Sequence, residues 1–122
     1  MKTALSIAVA AVVLAIVPGA SAQKYPTKPI RLIAPFPPGG GTDILSRILA
    51  GPVSESLGQT VIVDNRPGAG GAVGAEITAR AEPDGYTLVT VSSSYTATAA
   101  YQNPPYDPVN GIQPIILLGT TG

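Results

Sequence analysis

Apolar positions along this chain change period from one segment to the next. Ile30-Arg31-Leu32-Ile33-Ala34 is a short apolar run between prolines and reads as a first strand. Ile44, Leu45, Ile48, Leu49, Val53 and Leu57 then recur at helical spacing and predict a helix with one apolar face. Thr42 or Asp43 is placed to supply the N-cap oxygen, and Gly58 to stop the helix. Gly51-Pro52 interrupts the pattern. Proline removes one helix hydrogen bond, so a kink or two short helices are expected there. Thr60-Val61-Ile62-Val63-Asp64 is β-branched and predicts a second strand. Gly71 to Ala81 predicts a second helix, Glu82-Pro83-Asp84-Gly85 a turn, and Tyr86 to Val91 a third strand. Ser92 to Tyr101 reads as a short helix, the stretch from Asn103 to Asn110 as a proline-rich loop, and Ile115-Ile116-Leu117-Leu118 as a fourth strand.

Strands alternating with helices at these lengths argue for an α/β fold with a largely parallel sheet. Ligands of such sheets sit beyond the carboxyl ends of the strands. Three segments fall at those ends: the loop Pro35 to Asp43, the glycine-rich stretch Asn65 to Gly71, and the serines Ser92 to Ser94. The first is the most informative. A glycine-rich turn opening a helix leaves backbone N–H groups bare at the positive end of the helix dipole, which is a general anion site.

Composition narrows the chemistry. Lys2, the apolar run Ala4 to Val17, the break at Pro18-Gly19 and the small residues Ala20-Ser21-Ala22 make residues 1–22 a secretory signal peptide, cut after Ala22. The apolar run is too short to span a bilayer comfortably. The mature chain, residues 23–122, loses Lys2 and carries six basic against seven acidic residues, a net charge of −1. With no basic patch, nucleic acid is not an expected partner. The chain has no cysteine and no histidine, which removes disulfides, the usual zinc and copper ligands, and the commonest general base. Neither a metal nor a cofactor is expected, and no residue is assigned a catalytic role.

The glycine loops do not fit nucleotide motifs. Gly41 is followed by Thr42-Asp43 where a P-loop needs lysine, and Gly68-Ala69-Gly70-Gly71-Ala72-Val73-Gly74 spaces its last glycine one residue too far for a dinucleotide fingerprint. Turn chemistry alone accounts for either loop taken singly. Asp43 is better suited to capping, or to a ligand hydroxyl, than to meeting an anion. Ser92, Ser93 and Ser94 lack a nucleophile elbow and a histidine, so hydrogen bonding to a carboxylate or a solvated turn suits them better than catalysis. Tyr95 and Tyr101 either line a pocket or pack in the core, and Arg66 either pairs with a ligand carboxylate or is an exposed loop charge.

Together the runs YPTKPIRLIAPFPPGGGTDILSRILA, LGQTVIVDNRPGAGGAVGAE, EPDGYTL and YDP strongly resemble the Bug/TctC family, the periplasmic solute-binding receptors of tripartite tricarboxylate transporters. The resemblance covers essentially the whole mature chain. It implies a periplasmic-binding-protein-like α/β fold, of which this chain is the N-terminal, parallel-sheet part of the first lobe, incomplete without a second lobe. It implies a monomeric receptor, not an enzyme, that captures a small organic carboxylate for the transporter's membrane components. Carried over, the ligand-binding positions are Phe36, Pro37, Gly39, Gly40, Gly41, Thr42 and Asp43, then Ser92, Ser93, Ser94 and Thr96, with Gly70 nearby. The segment from Ser93 to Tyr101 departs from the family pattern, and family members are much longer. The chain is therefore expected to be a fragment or truncated form. The alternatives are a nucleotide-binding oxidoreductase domain built on the Gly68 loop, and a non-functional truncated remnant.

Overall fold

The computed structural model describes residues 24–120. The signal-peptide reading of residues 1–22 lies outside the described residues. Strand β1 (Ile30–Ala34) leads through the proline–glycine loop into helix α1 (Gly41–Leu57) and strand β2 (Val61–Asn65). A 3-10 turn (Ala69–Gly71) opens helix α2 (Ala72–Ala79), followed by strand β3 (Thr87–Val89) and helix α3 (Ser93–Gln102). The sheet order is β2-β1-β3, and both pairings are parallel, as the βαβ pattern predicts. Among the described residues no helix is long and apolar enough to cross a membrane.

β1 is central, and its side chains are buried on both faces of the sheet. Ile30 and Leu32 point to one face, where they meet Val61, Val63, Tyr86, Leu88 and Ala50 of α1. Ile33, 0 % exposed, points to the other, against α2. There Gly74 lets the helix approach closely: a Cβ at Gly74 would lie 2.7 Å from the Pro35 Cβ and 3.1 Å from the Ile33 Cγ2. A central strand covered on both sides reads as a near-continuous apolar run, broken in Ile30–Ala34 by Arg31, which pairs with Asp64 at 2.6 Å.

Several expectations are corrected. Of the two alternatives at Gly51-Pro52, a kink or two short helices, the second is excluded: helix α1 runs through as one element. Its N-cap is Gly40, with no side-chain cap bond, because the Asp43 carboxylate reaches past the cap to the Gly39 N–H instead. Gly58 does end it, in the left-handed conformation at φ 65°. The apolar stripe of α1 does not face the sheet. Ile44, Leu45 and Ile48 are 50 %, 46 % and 62 % exposed, while Asp43 and Ser46 are buried and Ala50 packs on the core. Small side chains let the helix sit close to the sheet, and Ser54 makes this contact specific by accepting the Val61 N–H at 2.8 Å. Ile115–Leu118 is not a strand. It is irregular and exposed, and it pairs with none of the three strands.

The Gly74 contact gives a stability test. Alanine gains helix propensity of about 1 kcal/mol over glycine, but the added methyl meets a buried proline ring and backbone that cannot swing aside. Gly74→Ala is expected to destabilise the fold by about 1–3 kcal/mol, read as an earlier urea midpoint. An unchanged or later midpoint would show that α2 moves freely relative to β1.

Candidate functional site

The loop after β1 and the start of α3 form the walls of one open cleft of about 400 Å³. It is lined by Phe36, Pro37, Pro38, Gly40, Gly41, Thr42 and Ser92. Gly40 is the N-cap of α1 and Ser92 the N-cap of α3, so two helix N-termini meet at this cleft. Ile44 N–H bonds the Gly40 carbonyl as the first turn of α1 closes, and Tyr95 N–H bonds the Ser92 carbonyl in α3. The N–H groups of Gly41, Thr42, Ser93 and Ser94 have no backbone acceptor among the described residues. No lysine or arginine lines the cleft, so its attraction for an anion comes from backbone donors, helix dipoles and the Thr42 and Ser92 hydroxyls. Ser92 and Ser94 hydroxyls lie 2.8 Å apart.

Asp43 sits directly behind this loop, 3 % exposed. Its carboxylate accepts from the Gly39 N–H at 2.8 Å, from Arg47 Nε at 3.0 and 3.1 Å, and from Asn65 Nδ2 at 2.9 Å. The Arg47 bond, then the Gly39 N–H, then the Asn65 amide hold its pKa down to about 2. Asp43 is absent from the cleft lining, and its charge is matched one turn along the helix by Arg47, at i,i+4. That pairing answers the repulsion expected between Asp43 and an anionic ligand. Gly39 takes φ 85°, a conformation that favours glycine, and this turns its N–H to the carboxylate.

A buried hydroxyl pair ties the two cleft walls together. Ser46 Oγ donates to the Thr42 carbonyl at 2.7 Å and lies 2.8 Å from Thr90 Oγ1. Ser46 belongs to the second turn of α1, and Thr90 lies two residues before Ser92. Both are nearly fully buried. No sequence motif marks this pair, because the partners are 44 residues apart.

Of the sequence-derived candidates, Phe36, Pro37, Gly40, Gly41, Thr42 and Ser92 come together at the cleft, joined by Pro38. Gly39 stands at its back, bonded to Asp43. Ser93 and Thr96 are exposed on α3, and Ser94 is half-buried. Gly70 packs elsewhere: a Cβ there would meet Thr98 Oγ1 at 2.9 Å, so the second glycine loop is a joint against α3. It meets the site at Phe36, whose ring lies over Gly71. Tyr95 is half-buried and donates to the Pro108 carbonyl at 2.8 Å, whereas Tyr101 is exposed, and neither lines the cleft. Arg66 bonds Asp64 at 3.1 Å. Among the described residues no group of three or more potential metal ligands gathers.

The model of the tripartite tricarboxylate transporter receptor family (TctC) matches residues 45–122, more than half of the chain. The chain belongs to this family. The Bordetella pertussis protein BugT is 44 % identical over 102 residues, covering 81 % of this chain and 31 % of that protein. The structure of the periplasmic binding protein BugD matches with a TM-score of 0.68 at 40 % identity, over 71 % of this chain and 29 % of BugD. MatC from Rhodopseudomonas palustris, solved with bound malate, matches with a TM-score of 0.52 at 37 % identity, over 53 % of this chain and 22 % of MatC. This TctC-family chain thus spans about a third of the length of the curated relatives it matches. The fold is the parallel α/β arrangement of periplasmic binding proteins.

Two measurements test the geometry of this TctC-family cleft. Ser46→Ala is expected to cost about 1–2 kcal/mol, since it strands the Thr90 hydroxyl in the core. A cycle with Thr90→Val should return a coupling of about 0.5–1.5 kcal/mol, and additivity would show that the two walls are not linked through this pair. For Asp43 the folded pKa, about 2, lies well below the ordinary carboxylate value of 3.8. Its contribution is therefore complete above that value and lost as pH falls toward about 2. Asp43→Asn should lower stability at neutral pH and flatten the acid limb of the stability–pH curve across that window, while the other carboxylates keep their share of the slope. Identical limbs for the two proteins would remove Asp43 from this role.

Proposed function

We propose that this chain forms the ligand-capturing part of an extracytoplasmic solute-binding receptor, which takes up a small organic carboxylate and delivers it to the membrane components of a tripartite tricarboxylate transporter. The observation that carries the reading is the meeting of two helix N-termini, at Gly40–Thr42 and Ser92, on one cleft free of cationic side chains. A carboxylate there would accept from the Gly41 and Thr42 N–H groups and the Thr42 and Ser92 hydroxyls, with its carbon skeleton against Phe36, Pro37 and Pro38. The malate in the related MatC supports an organic acid as the ligand class. The family relation supports a binding protein rather than an enzyme. It also supports a periplasmic site of action, which the Ala20-Ser21-Ala22 leader would provide by cleavage after Ala22.

Calorimetric titration of the mature chain with malate, adipate and citrate tests this. An open cleft with few donors is expected to bind with a Kd on the order of 1 mM, weakening as salt rises. Ser92→Ala should raise the Kd by about three- to tenfold, the worth of one hydrogen bond. A folded chain that gives no heat with any of these acids would overturn the proposal.

A further inference from the structure

We propose that Asn65 is a positioning residue for the anion cleft, an inference that rests on the carboxylate reading of that cleft. Asn65 closes β2, in register with Ala34, and the neighbouring Arg66 N–H bonds the Ala34 carbonyl at 2.9 Å. This places the Asn65 amide beside the loop that leaves β1. Its Nδ2 donates to the Phe36 carbonyl at 3.1 Å and to Asp43 Oδ1 at 2.9 Å, while its Oδ1 accepts from Arg47 Nη2 at 3.2 Å. One planar group thus joins β2, the loop and the first two turns of α1.

The network fixes which way the amide faces. Turned over, it would set Oδ1 against two acceptors, the Phe36 carbonyl and the Asp43 carboxylate, and Nδ2 against the Arg47 donors. Only an amide offers two donors and an acceptor in this arrangement; an aspartate would add a second carboxylate against Asp43. The effect on the cleft is electrostatic. The Phe36 carbonyl, whose negative end would repel an anion, is held by Asn65, and Asn65 itself does not line the cleft. Asp43 is held at the same time, and through it the Gly39 N–H. The Gly41 and Thr42 N–H groups remain the ones presented to the ligand.

The test compares wild type, Asn65→Ala and the near-isosteric Asn65→Asp by calorimetry with malate, thermal unfolding, and hydrogen exchange at the Gly39 amide, with Ser92→Ala as the control. Asn65→Ala is expected to raise the malate Kd about tenfold, equivalent to 1.4 kcal/mol, and to speed Gly39 exchange. Ser92→Ala should weaken malate binding and leave Gly39 exchange unchanged. Should Asn65→Ala unfold, Asn65→Asp carries the same test, because it keeps the side-chain volume and removes both donors. A folded Asn65 variant that binds malate as wild type does, or that leaves Gly39 exchange unaltered, overturns the positioning role while the carboxylate reading stands. A folded wild type giving no heat with malate, adipate or citrate overturns the carboxylate reading and the positioning role with it.

Discussion

A carboxylate is buried beside the glycine loop, next to the N-terminus of α1. Asp43 is that carboxylate, and the local architecture is organised around keeping it satisfied. Buried without partners, an ionised side chain would be costly or would neutralise. Here Arg47 matches the charge, Asn65 and Gly39 fill the remaining acceptor positions, and the pKa is held near 2. Each partner comes from a different element: the second turn of α1, the end of β2, and the loop from β1. The same bonds that neutralise Asp43 therefore assemble the site.

The second constraint is the distance between the two cleft walls. The loop wall belongs to α1 and the serine wall follows β3, so something must set α1 against β3. Ser46 and Thr90 do this in the core. Their placement explains why α1 turns small and polar side chains toward the sheet. A helix that packed through Ile44, Leu45 and Ile48 would stand farther away, and Ser46 could not reach Thr90. The close approach of α1 and the geometry of the cleft are one feature, as are Gly74 and the fit of α2 over Ile33 on the opposite face.

This division also marks what could be read from the sequence. The buried central strand, the glycine loop after it and the helix that follows are local patterns, and each was legible. The Asp43–Arg47 pair was legible in principle too, since i,i+4 spacing on a helix brings such side chains together. The partnership of Asp43 with Asn65 was not, because it depends on the parallel register of β1 and β2. Helical periodicity revealed that α1 has two unlike stripes, but not which one meets the sheet. That choice is made by contact distance, which the pattern does not encode. Ile115–Leu118 failed for a related reason: β propensity describes a segment that suits a strand, whereas a strand exists only where the segment is docked on an edge. Gly70 was grouped with the site because its loop falls at the same sheet edge, yet its neighbours are on α3.

The charge inventory of the cleft limits what it can recognise. Each helix N-terminus acts as roughly half a positive charge, so α1 and α3 together supply about one. Asp43 and Arg47 cancel behind the loop, and no ionised side chain lines the cleft itself. One carboxylate balances that potential, whereas a phosphate dianion would leave excess negative charge without the lysine that phosphate loops provide. The same reasoning applies within a dicarboxylate: its second carboxylate finds no compensation among Phe36, Pro37 and Pro38. On the proposed reading, recognition at this cleft is generic for a single carboxylate end. Discrimination between one organic acid and another has to arise where the rest of the ligand is met, by groups other than these seven.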